Sequence, residues 1–510
     1  MSIQVRVPES KIAISSVTGL ELREECNRHT YVKAQIVSFD PARTVFGALG
    51  KILEVSFDAE QRFAFKGIIA KIEVVSDQFL LTAYGASYQH DLISRTRSFD
   101  SESPKAISGF DEIKKIFPKV EGFELLSVTS SHVSQFGETD WRMLVRLAQL
   151  SGAYVVTKSG KLRVVSLEKH TNKTELGDDQ IVDHRASIQL GSSAVETTTW
   201  DWEAGSAPNA AIVKNRESDQ NSIEGMTRAA TEGLLPGGAR HRLFPFSDIA
   251  DDELQTKRWS SHLHEPTLRW VARLRSLNVS PGDVVLLKER APIDTPMLVV
   301  ARTISFKDQA IDQLSIEVEG ISAQAARDDL LQRYDYGVPL RAVGEVIDID
   351  DPKRLGRIKV RFPWHSKGAF GTWCRSLHPT AGVTHGTFNT PAVGEWVIAF
   401  HWPLSLDVPL ILGATYHGGA KVQDAVSDQR SQRAVLMTQR GQRIVADEKA
   451  DELVIGIYNG AQLACELSFK KSDASIRFST GSGGQISMQA DSINIEASGG
   501  LKIKGRVSIE

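Results

Sequence analysis

From residue 1 to about 85 apolar and polar positions alternate, in IQVRV, KIAIS, YVKAQIVSF, KILEVSF, FAFKGIIAKIEVV and FLLTAYG. Successive side chains of a strand point to opposite faces, so this period of two predicts half-buried antiparallel strands. The period then lengthens. Ser103-Pro104 supplies an N-cap and first-turn pair, followed by Ile107, Phe110, Ile113 and Ile116 along one side of a helix. TDWRMLVRLAQLSGA predicts a second helix, with Trp141, Leu144, Val145 and Ala148 at the i, i+3, i+4, i+7 places. Thr139 can cap it, Asp140 suits its first turn and Gly152 can end it. Alternation returns in AYVVTKSGKLRVVSL, a hairpin turning at Ser159-Gly160. Between 200 and 335 a helical stretch, DDELQTKRWSSHL, mixes with strands such as SIEVEGI and PGDVVLLK.

Five short strands follow from Val338 to about Gly418: AVGEVIDI, GRIKVRF, GTWCRSL, GEWVIAFHW and PLILGATY. Their spacing, with Gly and Pro between them, predicts a small barrel. Residues 419–432 are polar and read as a linker. Beyond them runs a ladder of apolar residues two apart: Leu453/Ile455/Ile457, Leu467/Phe469, Ile476/Phe478, Ile486/Met488, Ile493/Ile495, Leu501/Ile503 and Val507/Ile509. The predicted organisation is a mainly β chain with minor α content. A barrel-like unit with a helical insertion spans 1–200, and a second β unit spans 201–337. The small barrel covers 338–418, and the ladder covers 433–510.

A ladder of this kind is too narrow to build a core from one copy. A meander of alternating strands has one apolar face and nothing to cover it, and its exposed edges invite aggregation. Three copies wrapped about a common axis bury all the apolar faces, with Lys502, Lys504, Arg506 and Ser508 turned outward. Strands about 4.8 Å apart and roughly eight residues long make some 70 residues into a rod on the order of 40 Å long. The last couple, Val507/Ile509, leaves an apolar end that calls for a capping partner.

The totals narrow the picture further. There are 60 basic and 63 acidic residues, a net charge of -3, which lacks the basic excess of a dedicated nucleic-acid binder. No apolar run approaches the roughly 18 to 20 residues of a membrane span, and MSIQVRVPES has no signal-peptide pattern, so synthesis in the cytoplasm is expected. Cys26, Cys374 and Cys465 are odd in number and far apart, which suits a reduced protein with neither disulfides nor a zinc site.

The middle of the chain resembles a known family. GRIKVRFPW (Gly356 to Trp364), GTWCRSLHPTAG (Gly371 to Gly382), PAVGEWVIAFHW (Pro391 to Trp402) and PLILGATYHG (Pro409 to Gly418) are similar, in order and spacing, to the OB-type barrel of VgrG-type spikes. These spikes serve type VI secretion and related contractile injection systems, phage baseplates among them. Where that family carries an Asp-Pro-rich turn before the last strand, this chain has PLSLDVP. FGETDWRMLVRLAQLSGAYVV is a weaker echo, of a segment in which an acidic lead-in opens a helix. The order hub, barrel, needle completes the likeness.

The resemblance implies a homotrimer whose six hub units meet a six-fold tube of Hcp-like protein. It also implies surrounding baseplate proteins, a PAAR-type tip protein and effector cargo. It marks Gly356, Arg357, Val360, Phe362, Trp373, Pro391, Gly394, Glu395 and Val397 as the barrel motif. Ile476, Phe478, Ile486, Met488, Ile493, Ile495, Leu501 and Ile503 would fill the needle, and Val507 and Ile509 would meet the tip. No catalytic residue, cofactor or metal is expected.

Two other readings compete. The stretch DPKRLGRIKVRFPW interleaves Lys353, Arg354, Arg357, Lys359 and Arg361 with apolar and aromatic residues, as a single-strand nucleic-acid-binding OB barrel would. An ordinary barrel strand fits better: Ile358, Val360 and Phe362 turn inward, while Asp348, Asp350 and Asp351 offset the charge. An enzyme needs a motif, and the sequence has no G-x-S-x-G, H-E-x-x-H, P-loop or C-x-x-C. His262 and His264 stand two apart, which does not place them on one helix face. His365, His378, His385, His401 and His417 read as scattered loop histidines.

Overall fold

The computed structural model describes residues 3–506 apart from 58–62, 101–110, 127–131, 152, 159, 167–172, 189, 191–193, 202–205, 215–225, 227–228, 231–232, 235–239, 244–267, 288–295, 308–313, 323–339, 366–370, 382–385, 403–404, 420–433, 439 and 461. Two compact units emerge, residues 1–415 and residues 416–510.

Six strands open the first unit: β1 (Ile3–Arg6), β2 (Ser16–Glu25), β3 (Tyr31–Val37), β4 (Ile52–Phe57), β5 (Phe63–Val75) and β6 (Gln78–Tyr84), with helix α1 (Ala42–Phe46) after β3. The alternation acts as expected. In β3, Val32, Ala34 and Ile36 are fully buried, while Lys33 between them faces out.

The helical insertion then builds a core of its own. It comprises β7 (Ser94–Asp100), α2 (Asp111–Ile116), β8 (His132–Thr139), α3 (Asp140–Leu150), β9 (Ala153–Lys158) and β10 (Lys161–Ser166). Trp141, Leu144, Val145 and Ala148 of α3 are buried against Phe99, Ile113, Val155 and Val164. Thr139 caps α3, its Oγ1 accepting from the Arg142 N–H at 3.2 Å. Ser151 is the C-cap, and the expected stop at Gly152 lies outside the described residues. β9 and β10 form the expected hairpin, Lys158 opposite Lys161, with Gly160 at φ 75°. Residues 101–110, which carry the expected start of α2, and the helical stretch at 251–263 are also outside the described residues.

Nine strands follow: β11 (Lys173–Leu176), β12 (Ile181–Ile188), β13 (Ala194–Asp201), β14 (Ser206–Lys214), β15 (Arg240–Leu243), β16 (Leu268–Leu274), β17 (Val284–Leu287), β18 (Met297–Lys307) and β19 (Leu314–Ser322). β13, β14 and β15 form a small sheet. The others join the opening strands in one twelve-stranded sheet, ordered β1-β4-β5-β6-β3-β2-β18-β19-β16-β12, with β17 bridging β11 to β18. The sheet thus draws strands from both sides of residue 200, with β11 and β12 joining it before that point and β16 to β19 after it. The seam is the antiparallel pair β2–β18, which sets Glu24 opposite Arg302. Both are buried; Arg302 Nε donates to Glu24 Oε2 at 2.7 Å, and Nη1 donates to the Leu277 and Val279 carbonyls. A buried ion pair is tolerated when all its polar atoms are satisfied in this way.

The first unit ends in five strands: β20 (Leu340–Asp348), β21 (Ile358–Arg361), β22 (Thr372–Ser376), β23 (Trp396–Trp402) and β24 (Ser405–Thr415). They close into a barrel ordered β20-β21-β22-β24-β23. Much of PLSLDVP is the start of β24, paired to β23 through Trp402 and Ser405.

The second unit is a five-stranded antiparallel meander: β25 (Ala434–Met437), β26 (Gln442–Asp447), β27 (Glu452–Asn459), β28 (Gln462–Lys470) and β29 (Ser475–Thr480). Residues 481–506 keep the alternating sequence and join no strand in the single chain. A strand needs a neighbour for its N–H and C=O groups; Gly481 still donates to the Ala464 carbonyl at the end of the sheet, but 485–506 join no ladder among the described residues. Most of the expected linker (420–432), together with Val507 and Ile509, lies outside the described residues. No described helix is long and apolar enough to cross a membrane.

Candidate functional site

The barrel's interior is filled by Val346, Ile358, Val360, Phe362, Cys374, Val397, Ala399 and Ile411, with Ala342 at its margin. Val360 and Val397 are fully buried and Phe362 nearly so. Two glycines turn the chain around this core. Gly356 sits at φ 72° just before β21, and Gly394 at φ 91° before β23, conformations in which a side chain is strained. Gly394 N–H donates to the Val346 carbonyl at 2.8 Å, and Val346 N–H donates to the Glu395 carbonyl at 2.9 Å, so Glu395 acts here through its backbone. Pro391 lies half-buried in the turn leading to β23.

The basic strand is answered residue by residue. Arg357 donates to Asp351 through Nε and Nη2, the latter at 2.6 Å, and both side chains are mostly buried. Asp351 also accepts from the backbone N–H groups of Lys353, Leu355 and Arg357. Those donors, with the Arg357 guanidinium, outweigh burial and hold its carboxyl well below the usual carboxylate range. The Arg357 guanidinium and the Lys359 ammonium lie 5.5 and 6.0 Å from the centre of the Trp373 ring, and Arg361 pairs with Glu345 at 2.6 Å. The ring that could have stacked a base is already attended by two cations of its own barrel. Asp351 was offered by the sequence only as a charge offset. Its place ahead of Pro352 and the loop to Gly356 was the signal that it could organise that loop.

One of the barrel histidines, His401, corrects the loop reading by lying in β23, while His365 sits in the turn after β21 yet is buried. His365 and His401 are buried: Phe362 N–H donates to His365 Nδ1 at 2.8 Å, and His401 packs against Phe362, Trp364 and Phe136 of β8. Phe136 thus ties the barrel to the helical insertion. His378 stacks on Phe388, while His385, His262 and His264 lie outside the described residues. No group of three metal-ligating side chains occurs among the described residues.

In the second unit, register decides which side chains share a face. Leu436, Ile444, Ile455, Leu467 and Phe478 form one cross-strand row, and Ala446, Leu453, Phe469 and Ile476 form the next. The other face carries Arg443, Glu452, Glu466, Lys470 and Arg477. There the Arg443 guanidinium lies 3.0 Å from the centre of the Tyr458 ring, and the Tyr458 hydroxyl donates to Glu466. The apolar face is open. Ile455, Phe478 and Ile476 are 43%, 58% and 64% exposed, and Ile486, Met488, Ile493, Ile495, Leu501 and Ile503 beyond them are more than half exposed. Isolated chains seldom leave so long an apolar surface bare.

Residues 342–416 match the family of the type VI secretion system/phage-baseplate injector OB domain. The chain resembles a VgrG-type spike. It is 34% identical over 103 residues to the type VI secretion system spike protein VgrG3 of Vibrio cholerae, a match that covers 19% of this chain. It is 33% identical over 91 residues to VgrG2a of Pseudomonas aeruginosa, covering 17% of this chain. In each case the match spans only a tenth of the relative's length. The fold reaches further than the sequence. A component of the E. coli type VI secretion system, described as structurally similar to the T4 tail proteins gp27 and gp5, aligns at TM-score 0.50 and 13% identity, over 81% of this chain and all of that one. A Francisella PdpA-VgrG complex aligns at TM-score 0.56 and 9% identity, over 91% of this chain and 84% of its own.

Proposed function

We propose that the chain is the central hub and spike of a contractile injection apparatus, acting as a homotrimer and without catalysis of its own. The observation that carries this reading is the open apolar face of residues 436–503 on a chain that also holds an injector OB barrel. Fully burying one Ile, Leu or Phe side chain contributes about 1.5–3 kcal/mol, so three copies packing these faces inward gain far more than association costs. Two kinds of needle follow from the pairing. Over 434–480 each chain brings its own five-stranded sheet, one wall of a three-walled prism. Over 485–506 the strands find their partners in the other two chains, which satisfies backbone groups that one copy leaves bare.

The rest of the apparatus fits around this trimer. Six hub units seat an Hcp-like tube, baseplate proteins surround the hub, a PAAR-type protein caps the needle, and effectors travel with the spike. The subunit is made in the bacterial cytoplasm and driven outward by sheath contraction. Stiffness is its contribution. The solution mass of the full chain, beside a chain stopped after Arg433, tests the reading. A mass of three chains that falls on truncation supports it, and a monomer in both would overturn it. Salt-sensitive retention on single-stranded DNA would instead favour the nucleic-acid reading. The pairing of Arg357 and Arg361 argues against that outcome.

A further inference from the structure

Two apolar patches on the outside of the barrel have no role in its core. The first crosses β20 and β23: Val343 lies opposite Ile398, with Trp396 two residues along the same face, and all three are exposed by about two-fifths. The second lies beyond β22, where Leu377 and Phe388 are 60% and 74% exposed. This patch is built rather than loose. His378 stacks on the Phe388 ring at 5.5 Å, Thr380 and Thr387 join their hydroxyls at 3.1 Å, and Leu377 N–H donates to the Ile411 carbonyl. The Phe388 ring also lies over Gly356, where an added Cβ would come within 3.3 Å of it.

We infer that the barrel is itself a subunit contact, in which the Val343/Trp396/Ile398 patch of one copy covers the Leu377/Phe388 patch of the next. The inference rests on the trimer proposed above. A single patch would pair with itself and make a two-fold dimer, whereas two different patches on one module make a head-to-tail contact that can close a ring. The chain leaves the barrel at Thr415, directly opposite Trp396. Segment 416–433 spans no more than about 65 Å even fully extended. Three barrels tethered to one needle therefore meet at an effective concentration on the order of 1 mM, at which two small apolar patches suffice.

The test uses the full chain with Cys465 replaced by Ser, since Cys26 and Cys374 are buried. Ile398→Cys and Phe388→Cys are introduced singly and together, and native mass is read beside crosslinking with a short bis-thiol reagent. The expected result is a three-chain native mass, covalent trimers only in the double variant, and loss of maleimide reactivity at both positions in the assembled protein. Covalent dimers in either single variant would overturn the head-to-tail contact. So would a three-chain mass with both thiols fully reactive, which leaves the trimeric spike standing. A single-chain mass would overturn the spike reading and this contact together.

Discussion

The barrel and the needle sheet are each made of five strands with the same alternation of apolar and polar residues, yet they end in opposite states. In the barrel β20 to β24 close on themselves, and Val346, Ile358, Val360 and Val397 are wholly buried. In the needle β25 to β29 stay open, and Ile444, Leu453, Ile455 and Phe478 face outward. Alternation specifies which side chains share a face but not what covers that face. Closure answers the question within one chain, and in the trimer proposed above other copies would answer it for the open sheet.

The largest effect that would break this contrast is expected from Ile495→Asp. Three carboxylates would meet near one axis in the assembled needle, a cost no local rearrangement relieves. The trimer should be lost, read as a single-chain mass by light scattering, while the denaturation midpoint of the barrel is unmoved. Phe362→Ala is the reverse experiment. It should destabilise the barrel by about 3–5 kcal/mol, read in denaturant, with assembly of the needle retained. A similar cost, again about 3–5 kcal/mol, is expected for Arg302→Met at the hub seam, because it leaves the buried Glu24 carboxylate without its partner. Burial pushes that carboxyl up, and with Arg302 gone the loss should ease at low pH, where Glu24 is protonated.

Asp351 gives a titration with the opposite sign. Its carboxyl is held low in the folded barrel, so its contribution is full above the ordinary carboxylate value of about 4 and fades as pH falls below it. Asp351→Asn should lower barrel stability at pH 7 by more than at pH 3, read as paired denaturation curves. Arg361→Ala should do least. Its pair with Glu345 is two-fifths exposed at both ends, and loss of such a pair costs at most about 1 kcal/mol. A larger loss would mean that this face is covered in the assembly.

Features written in local periodicity were legible in the sequence. Helix α3 with its Thr139 cap, the β9–β10 hairpin and the inward set of β21 all follow from neighbours within a few residues. The seam between β2 and β18 was not legible, because Glu24 and Arg302 are joined by nothing nearer than the register of the whole sheet. The same distance hid His401, whose burial depends on Phe136 of β8. Asp351 lay in plain view as one acid among several. Its role follows from the three backbone N–H groups that the loop turns toward it. The apolar couples at Ile486/Met488, Ile493/Ile495 and Leu501/Ile503 were the clearest pattern in the chain. They also lie in the segment that joins no strand in the single chain, where the pattern has no neighbour to pair with.

Amide hydrogen exchange over residues 485–506 of the full chain is therefore the most direct test. In one copy these amides join no strand, so any protection must come from neighbouring chains. The account predicts protection as strong as in the β27–β28 ladder, lost in Ile495→Asp. Exchange at the rate of an unstructured peptide in the unaltered chain would contradict it.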